Sequence, residues 1–195
     1  DLEIATGLDA WRNVQGAARL RWWLTWQKNK KYVRSLLPAF KKVTVVSEIE
    51  KAILEEIVPG YEGCKIIPNG VDTEHNRPGM AVPMPGKLVY SGALTYSANY
   101  DAAKYFLADV YPLIRQQWPG ATLEITGSTQ GVNLAGLRLD EHTRVTGFVE
   151  DIRPVVAGAW ACVVPVRQGS GTRLKILEAM ALGTPVVSTS KGAEG

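Results

Sequence analysis

Short apolar runs alternate with longer segments of helical periodicity along most of the chain. In the second half, runs at 87–90, 122–126, 144–146 and 159–166 predict buried strands, and Val186 and Val187 open a further strand. The segments between them predict helices, the longest at 100–117 with Asn99 as its cap, and another that begins with the acidic residues Glu150 and Asp151. Strands that alternate with helices are typical of a parallel sheet with helices on both of its faces. The first half carries the same pattern on a smaller scale, with predicted helices at 17–37 and 48–57 and predicted strands at 43–46 and 65–67. Ser47 and Glu50 form a capping box at the start of the second helix.

The segment GSGTRLKILEAMALGTPVV, residues 169–187, follows the last of these strands and organises the second half of the chain. A glycine turn precedes a helix that we expect to start near Thr172. The free N–H groups and the positive dipole end of a helix start attract anions. The turn and the helix start therefore predict an anion site that includes Ser170, Gly171 and Thr172.

Two cations, Arg173 and Lys175, lie in the first turn of this predicted helix, where the helix dipole disfavours positive charge. A bound phosphate would offset that disfavoured arrangement. The alternative is that Lys175 pairs with Glu178 at i,i+3 and that Arg173 is solvated. The spacing alone favours neither interpretation.

Three turns follow predicted strands at their carboxyl ends, which is the edge where parallel sheets bind ligands. They lie at 91–94, 147–151 and 168–172 and contain glycine, which lets a ligand approach the backbone closely. We expect these turns to converge on one pocket. Besides the residues of the predicted anion site, the candidate binding residues are Gly92, Gly147, Phe148 and Val149.

The composition is that of an ordinary soluble globular protein, with 195 residues, 46% hydrophobic and 21% charged. No apolar run is long enough to cross a bilayer, and the start of the chain does not resemble a signal peptide. Cys64 and Cys162 are isolated. Cys162 lies in a predicted strand as a buried, reduced thiol, which indicates a cytoplasmic setting.

Charge and tryptophan are concentrated at the start of the chain. Residues 1–42 contain nine Lys/Arg against three Asp/Glu, and four of the six Trp. This pattern is typical of a helix that contacts a partner or the inner surface of a membrane peripherally. A helix that packs its Trp inward and leaves its Lys in water is favoured over that reading, because the apolar positions of 20–37 also suit packing against a sheet. Nucleic acid is not an expected partner, since no nucleic-acid module is visible.

Several common sites are absent from the sequence. There is no P-loop motif, no complete GxGxxG and no GxSxG elbow. Neither His75 nor His142 has the spacing of a metal ligand, and His142 is more typical of a surface residue than of a catalytic base. We therefore expect no metal site.

Five segments occur in an order that matches a known pattern. They are VTVVSEIEKAIL, KIIPNGVD, KLVYSGALTYSANYDAAKYF, RVTGFVEDIRPVVAGAWACVVPV and GTRLKILEAMALGTPVVSTSKGAEG. From about Val43 onward the chain resembles glycosyltransferase family 4, also called group 1, and IPNGVD and LEAMALGTPVV are the most specific parts of the match.

The resemblance implies the α/β fold called GT-B, which has two Rossmann-like domains with parallel sheets, both incomplete in this chain. Residues 1–68 would form the end of the N-terminal, acceptor-binding domain. Residues 69–86 would link the domains, and 87–195 would begin the C-terminal domain, which binds the nucleotide-sugar donor.

The resemblance also implies an activity, the retaining transfer of a sugar from a nucleoside diphosphate to an acceptor hydroxyl. The acceptor would be a carbohydrate or a lipid-linked glycan, as in polysaccharide biosynthesis. Glu178 matches the family's acidic residue that accepts hydrogen bonds from the ribose hydroxyls. Residues 147–151 match the loop whose backbone holds the base.

The chain departs from the family at two places. A sugar-contacting Glu that is common in the family is replaced by Ser170, and the family's basic pair for the diphosphate is not evident after Gly92. Arg173 and Lys175 would supply that charge and stabilise the leaving diphosphate, so that neither a metal nor a further cofactor is implied.

A nucleotide-sugar-binding module without turnover is the main alternative function, and we expect this part of the family's length to be inactive by itself. Another GT-B enzyme, such as a nucleotide-sugar epimerase, is less favoured because of the PNGVD and EAM segments. A purely structural role for the glycine turns is also less favoured, because three turns and two motifs coincide.

Overall fold

The computed structural model of the protein describes residues 7–8, 11–12, 14–169 and 171–194. These residues form two compact units. The first contains the described residues up to Asn69 together with Gln168–Arg173 and Glu194, and the second contains Gly70–Arg167 and Leu174–Ala193.

The first unit contains a small parallel sheet, in which Val43 pairs with Cys64 and Val45 with Ile66. The helices and strands predicted before residue 69 are confirmed to within one residue at each end. The elements are α1 (Ala17–Leu36), a 3-10 turn (Leu37–Ala39), β1 (Val43–Val45), α2 (Glu48–Ile57) and β2 (Cys64–Ile66).

The start of α2 is fixed by the polar residues that the sequence pattern singled out. Ser47 Oγ accepts the Glu50 N–H at 3.2 Å. The Glu50 carboxylate reaches back and accepts the Val46 N–H at 3.0 Å. Both interactions satisfy N–H groups at or near the helix start, and the helix then buries Leu54 and Ile57.

Helix α1 lies at the surface of the first unit, and none of its residues is buried. Trp22 and Trp26 are half-buried, whereas Trp23 is exposed, so that the inward packing expected of the Trp residues is incomplete. The Trp26 ring stacks on that of Trp11, with centroids 5.4 Å apart, and Lys30 Nζ lies 4.4 Å from the Trp26 centroid.

The second unit is built on a parallel sheet of five strands, and the predicted parallel α/β architecture is confirmed. The strands are β3 (Met84–Ser91), β4 (Thr122–Thr126), β5 (Thr143–Gly147), β6 (Ala159–Val164) and β7 (Val186–Ser188), in the order β5-β4-β3-β6-β7. The helices are α3 (Ser97–Tyr105), which continues through a π-helical segment (Phe106–Val110) into α4 (Tyr111–Gln117), then α5 (Arg153–Ala157) and α6 (Leu174–Ala181).

The strand order reverses beside β3. The chain adds β4 and β5 on one side of β3 and then crosses over to place β6 and β7 on the other side. Such a reversal leaves a crevice at the carboxyl ends of the two strands where the order changes, here β3 and β6. The core beneath that crevice is apolar, and its fully buried strand residues are Val89, Tyr90, Leu123, Ile125, Cys162 and Val164.

Strand β3 begins earlier than the apolar run 87–90 predicts. Met84 pairs with Ala159 on β6, and the register then shifts before Leu88. Pro85, which has no N–H to donate, lies in the shifted stretch. The proline at position 85 therefore makes the start of β3 hard to predict from the sequence, and pairing with β6 is what extends the strand to Met84.

Helix α3 begins at Ser97, so that Asn99 lies in its first turn instead of capping it as predicted. The Asn99 side-chain amide donates to the Ala93 carbonyl at 3.0 Å. Because this amide is used to close the turn after β3, the predicted cap is wrong.

Helices α5 and α6 begin later than predicted, at Arg153 and at Leu174. Ahead of α5, Asp151 Oδ1 accepts the Arg153 N–H at 3.0 Å, and this acidic side chain thus lies at the helix start as expected. Ahead of α6, Gly171 has a φ of 86°, which is outside the helical region, so that the helix begins after it.

The turns after β3 and β4 pack backbone to backbone. Gly127 has a φ of 132°, and a Cβ added to it would lie 2.5 Å from the carbonyl carbon of Gly92 and 2.7 Å from the Ala93 nitrogen. No side chain fits between the two turns. Glycine at position 127 therefore brings the ends of β3 and β4 together.

We predict that Gly127→Ala lowers the free energy of unfolding by about 3 kcal/mol, because it adds both backbone strain and a clash with main-chain atoms. Gly131→Ala is the matched control, since Gly131 also has a positive φ, of 72°, but no atom within 4 Å of an added Cβ. The control should cost about 1 kcal/mol. Urea denaturation of both variants measures the difference, and equal losses would contradict the close approach.

Candidate functional site

Three neighbouring strands end in the same way, with a hydroxyl residue followed by glycine. The pairs are Ser91 and Gly92 on β3, Thr126 and Gly127 on β4, and Thr146 and Gly147 on β5. The Gly92 N–H donates to the Thr126 carbonyl and the Gly127 N–H donates to the Gly147 carbonyl, both at 2.8 Å. Small residues thus extend the backbone hydrogen bonding between the strands to the carboxyl edge of the sheet.

A cavity of about 330 Å³ opens at this edge. It includes three residues that the sequence predicted as binding residues, Gly92, Phe148 and Val149. The full lining is Ser91, Gly92, Thr126, Gly127, Phe148, Val149, Glu150 and Ile152. Two of the three turns that were expected to converge, those after β3 and β5, therefore meet at one cavity.

The turn after β5 directs a large apolar side chain into solvent. Gly147 has a φ of 72°, in the left-handed region that favours glycine. Phe148 follows it and is 79% exposed. A phenylalanine so exposed at the rim of a cavity offers a flat apolar surface to a ligand.

Arg153 stabilises the far end of the loop after β5 through hydrogen bonds. Arg153 makes two hydrogen bonds of 2.8 Å to the Asp151 carboxylate and donates to the His75 carbonyl at 3.0 Å. These bonds to the arginine lower the pKa of Asp151. The loop from Gly147 to α5 is therefore held at both ends.

Lys175 extends from the first turn of α6 to the turn after β3. Its Nζ lies 3.5 Å from Asn99 Oδ1 and 4.9 Å from the centroid of the Tyr90 ring. A Cβ added to Gly92 would lie 2.7 Å from this Nζ. The structure thus brings the predicted cation Lys175 next to Gly92, which lines the cavity.

Glu178 lies one turn further along α6 and is half-buried. Within the described residues it forms no ion pair with Lys175, so that the i,i+3 alternative is wrong. Both charges act on the Cys162 thiol in β6, whose pKa burial raises to about 11, with Lys175 lowering it and Glu178 raising it. Glu178 is not among the residues that line the cavity.

The remaining predicted residues belong to the loop after β6. Gly171 and Thr172 precede Arg173, which is half-buried and donates from Nη1 to the Gly171 carbonyl at 3.0 Å. Arg173 is thus tied into the loop and is not simply solvated. Ser170 lies outside the described residues.

Sequence reasoning did not identify Tyr90, Asn99 and Gly127 as parts of the site. The repeated hydroxyl-glycine ending of three successive strands was a usable signal for Gly127. In the sequence, Tyr90 is the end of an apolar run and Asn99 is predicted to cap a helix. Their contacts with Lys175 depend on how α3 and α6 pack on the sheet, which the local sequence does not indicate.

No group of three or more His, Cys, Asp or Glu side chains that could hold a metal ion occurs among the described residues. In the same part of the chain, no helix has the length and apolar character that a membrane span requires.

Comparisons with known proteins concern the second half of the chain and the fold as a whole. The family model for glycosyl transferases group 1 matches residues 85–195, which include β3 except for Met84, all of β4 to β7 and every residue that lines the cavity. No curated protein matches the chain.

Several solved structures share the fold. TarM is 15% identical with a TM-score of 0.68, and the match covers 92% of this chain and 34% of TarM. HepE from Anabaena, in complex with UDP, is 19% identical with a TM-score of 0.67, covering 87% of this chain and 50% of HepE. Sucrose-phosphate synthase from Thermosynechococcus elongatus is 22% identical with a TM-score of 0.61, covering 87% and 45%.

The chain spans between a third and a half of the length of these proteins. The GT-B fold that the sequence resemblance implied, with incomplete Rossmann-like domains, is confirmed by these similarities. Since the family model matches more than half of the residues, this chain belongs to the group 1 glycosyl transferases.

Proposed function

We propose that the protein transfers a sugar, with retention of anomeric configuration, from a nucleoside-diphosphate sugar to an acceptor hydroxyl. The observation that carries this proposal is the cavity at the carboxyl edge of the second unit's sheet, with the ammonium of Lys175 beside its Gly92 wall. A cavity at the carboxyl ends of parallel strands, beside the strand where the order reverses, is a usual ligand site of an open parallel sheet. The adjacent cation suits an anionic ligand.

The loop after β5 is suited to the nucleoside part of the donor. Phe148 and Val149 offer apolar surface, and the backbone after Gly147 offers N–H and C=O groups for the base. We assign the ribose hydroxyls to Glu178, as the family resemblance implies. The HepE and TarM structures that contain UDP support a uridine nucleotide as the first donor to test.

The diphosphate of the donor requires nearby positive charge, and this requirement is greater in the transition state than in the bound substrate. As the bond to the sugar breaks, negative charge develops on the leaving diphosphate, and cations or N–H groups already aimed at it lower the barrier. The position of the Lys175 ammonium beside Asn99, at the turn after β3, supports this role. Arg173 and the N–H groups around Gly171 and Thr172 remain a proposal from the sequence pattern, and with these cations the reaction would proceed without a metal.

The acceptor is proposed to be a carbohydrate or a lipid-linked glycan at the inner surface of a membrane. Helix α1 supports a peripheral contact because it carries six Lys/Arg and no Asp/Glu. Its side chains Leu20, Leu24 and Tyr32 are exposed among these cations. Apolar and basic residues on one exposed helix suit an anionic lipid surface.

A nucleotide-sugar-binding module without turnover is the second candidate. It is supported by the same cavity and adjacent ammonium, which suit donor binding without requiring an acceptor site. Donor binding is common to both candidates, and turnover in the intact gene product separates them.

We predict that Lys175→Met weakens the binding of UDP about 10-fold to 100-fold, as expected for the loss of a charge-assisted contact. A thermal-shift screen against UDP, GDP and ADP first identifies the nucleotide, and calorimetry then gives the affinities. At a hundred times its dissociation constant a ligand should add about 2.7 kcal/mol of stability. Lys104→Met, an exposed lysine on α3, is the matched control and should bind UDP like the unaltered chain. A nucleotide that binds both variants equally would exclude Lys175 from the phosphate site.

Turnover by the intact gene product should survive EDTA, because the proposed stabilisation of the diphosphate uses cationic side chains. Changing both Arg173 and Lys175 to Met should lower kcat by about 100-fold or more, on the scale of the loss of one transition-state donor. Proton NMR of the product reports the anomeric configuration. Inversion at the anomeric carbon would overturn the proposed retaining reaction, and abolition of turnover by EDTA would overturn its metal independence.

Co-sedimentation with vesicles tests the membrane contact. We expect binding to vesicles that contain phosphatidylglycerol at low salt, and weaker binding to phosphatidylcholine alone. Changing the exposed Lys28 and Lys31 of α1 to Glu should release the protein from the anionic vesicles. The same change at Lys104 and Arg138, which are exposed in the second unit, controls for net charge. Equal release by both pairs would argue against a specific role of α1.

A further inference from the structure

The Lys175 ammonium lies in a cradle formed by β3 and α3. The Tyr90 ring faces it from β3, with 4.9 Å between Nζ and the ring centroid. Asn99 Oδ1 lies 3.5 Å away on α3, and the absence of a side chain at Gly92 leaves room for Nζ. Three separate segments thus define the position of one amine.

The cradle is itself held by hydrogen bonds. The Tyr90 side chain is buried, and its hydroxyl donates toward the Asn99 carbonyl at 3.1 Å and toward Asn99 Oδ1 at 3.2 Å. The Asn99 Nδ2 donates to the Ala93 carbonyl at 3.0 Å. With Nδ2 bound to the turn, Oδ1 is the atom of this amide that faces Lys175, as an acceptor should.

These two neighbours of Lys175 are neutral, and that distinguishes them from an ion-pair partner. An aromatic face and an amide oxygen attract an ammonium but do not cancel its charge. A lysine side chain loses rotamer entropy when it is fixed. Contacts with Tyr90 and Asn99 would reduce that cost before a ligand arrives, which is preorganisation.

Helix α3 also fixes the residue at the other flank of the loop after β6. Arg167 donates to Asp101 at 2.9 Å, and its guanidinium carbon lies 4.3 Å from the centroid of the Tyr105 ring. One helix therefore holds both Arg167 and Lys175, the charged residues on either side of Gln168–Arg173.

We propose that Asn99 and Tyr90 are positioning residues, which hold the Lys175 ammonium toward the donor and thereby give the site its preference for a nucleoside diphosphate over a nucleoside monophosphate. This inference rests on the proposed function. It assigns to α3 a role in recognising the phosphates, although α3 itself contributes no residue to the lining of the cavity.

The test compares UDP with UMP by calorimetry on the intact gene product. Asn99→Ala should weaken UDP binding about tenfold, the equivalent of one hydrogen bond to a charged group, and leave UMP within about twofold. Tyr90→Phe keeps the ring and removes the hydroxyl, and it should weaken UDP by about threefold, since it acts only through Asn99. Tyr100→Phe is the matched control, because its hydroxyl donates to the Asn133 carbonyl from the same helix, and it should change neither affinity.

A double-mutant cycle distinguishes positioning from a general structural effect. In a Lys175→Met background, Asn99→Ala should have no further effect on UDP binding, since the ammonium that it positions is gone. If Asn99→Ala also perturbs the turn after β3, Asn99→Asp supplies a second variant. It keeps the size of the side chain and adds a carboxylate that would pair with Lys175, and so it should also weaken UDP selectively.

The outcomes separate this inference from the proposed function. Equal losses of UDP and UMP affinity in Asn99→Ala, or a further loss in the Lys175→Met background, would overturn the positioning role. Unaltered protein that binds UDP, combined with unchanged affinities in all Asn99 and Tyr90 variants, would also overturn it and leave the donor site standing. Failure of the unaltered protein to bind any nucleoside diphosphate would refute the proposed function, and the inference with it.

Discussion

The close approach of two backbones at the carboxyl edge of the sheet is the constraint on which the site depends. Gly127 packs against the carbonyl of Gly92, and Gly92 in turn leaves space for the amine of Lys175. A Cβ added at Gly127 would lie 2.5 Å from the Gly92 carbonyl carbon, and one added at Gly92 would lie 2.7 Å from Lys175 Nζ. The cavity, its backbone lining and its neighbouring cation are consequences of this packing.

Topology explains why such distant residues meet. Because the strand order reverses beside β3, helices α3 and α6 both begin close to the carboxyl ends of adjacent strands, β3 and β6. Their first turns can therefore exchange side-chain contacts such as that between Asn99 and Lys175. In this open sheet, α3 contacts the ammonium of Lys175 on α6. The contact lies near the carboxyl ends of the strands, where anionic ligands commonly bind.

The sequence was sufficient for the parts of the structure that depend on local pattern. Apolar runs predicted every strand of the second unit, and the glycine turns predicted Gly92, Phe148 and Val149 at one edge. Local sequence patterns were misleading at residues whose role depends on contacts distant in the chain. The Asn99 amide closes the turn after β3 by donating to the Ala93 carbonyl, and Met84 pairs with Ala159 of β6 although Pro85 follows it. The neighbours of Lys175 could not be predicted, because they depend on the packing of two helices on the sheet.

The buried thiol of Cys162 has a consequence for the durability of the site. At neutral pH a thiol with a pKa of about 11 is ionised in about one molecule in ten thousand. Oxidants and electrophiles attack the thiolate, and this cysteine is protected from them because it stays protonated and because it is buried. Cys162 of β6 can thus pack a small, polarizable sulfur atom in the core near Lys175 and Glu178 and still resist oxidation.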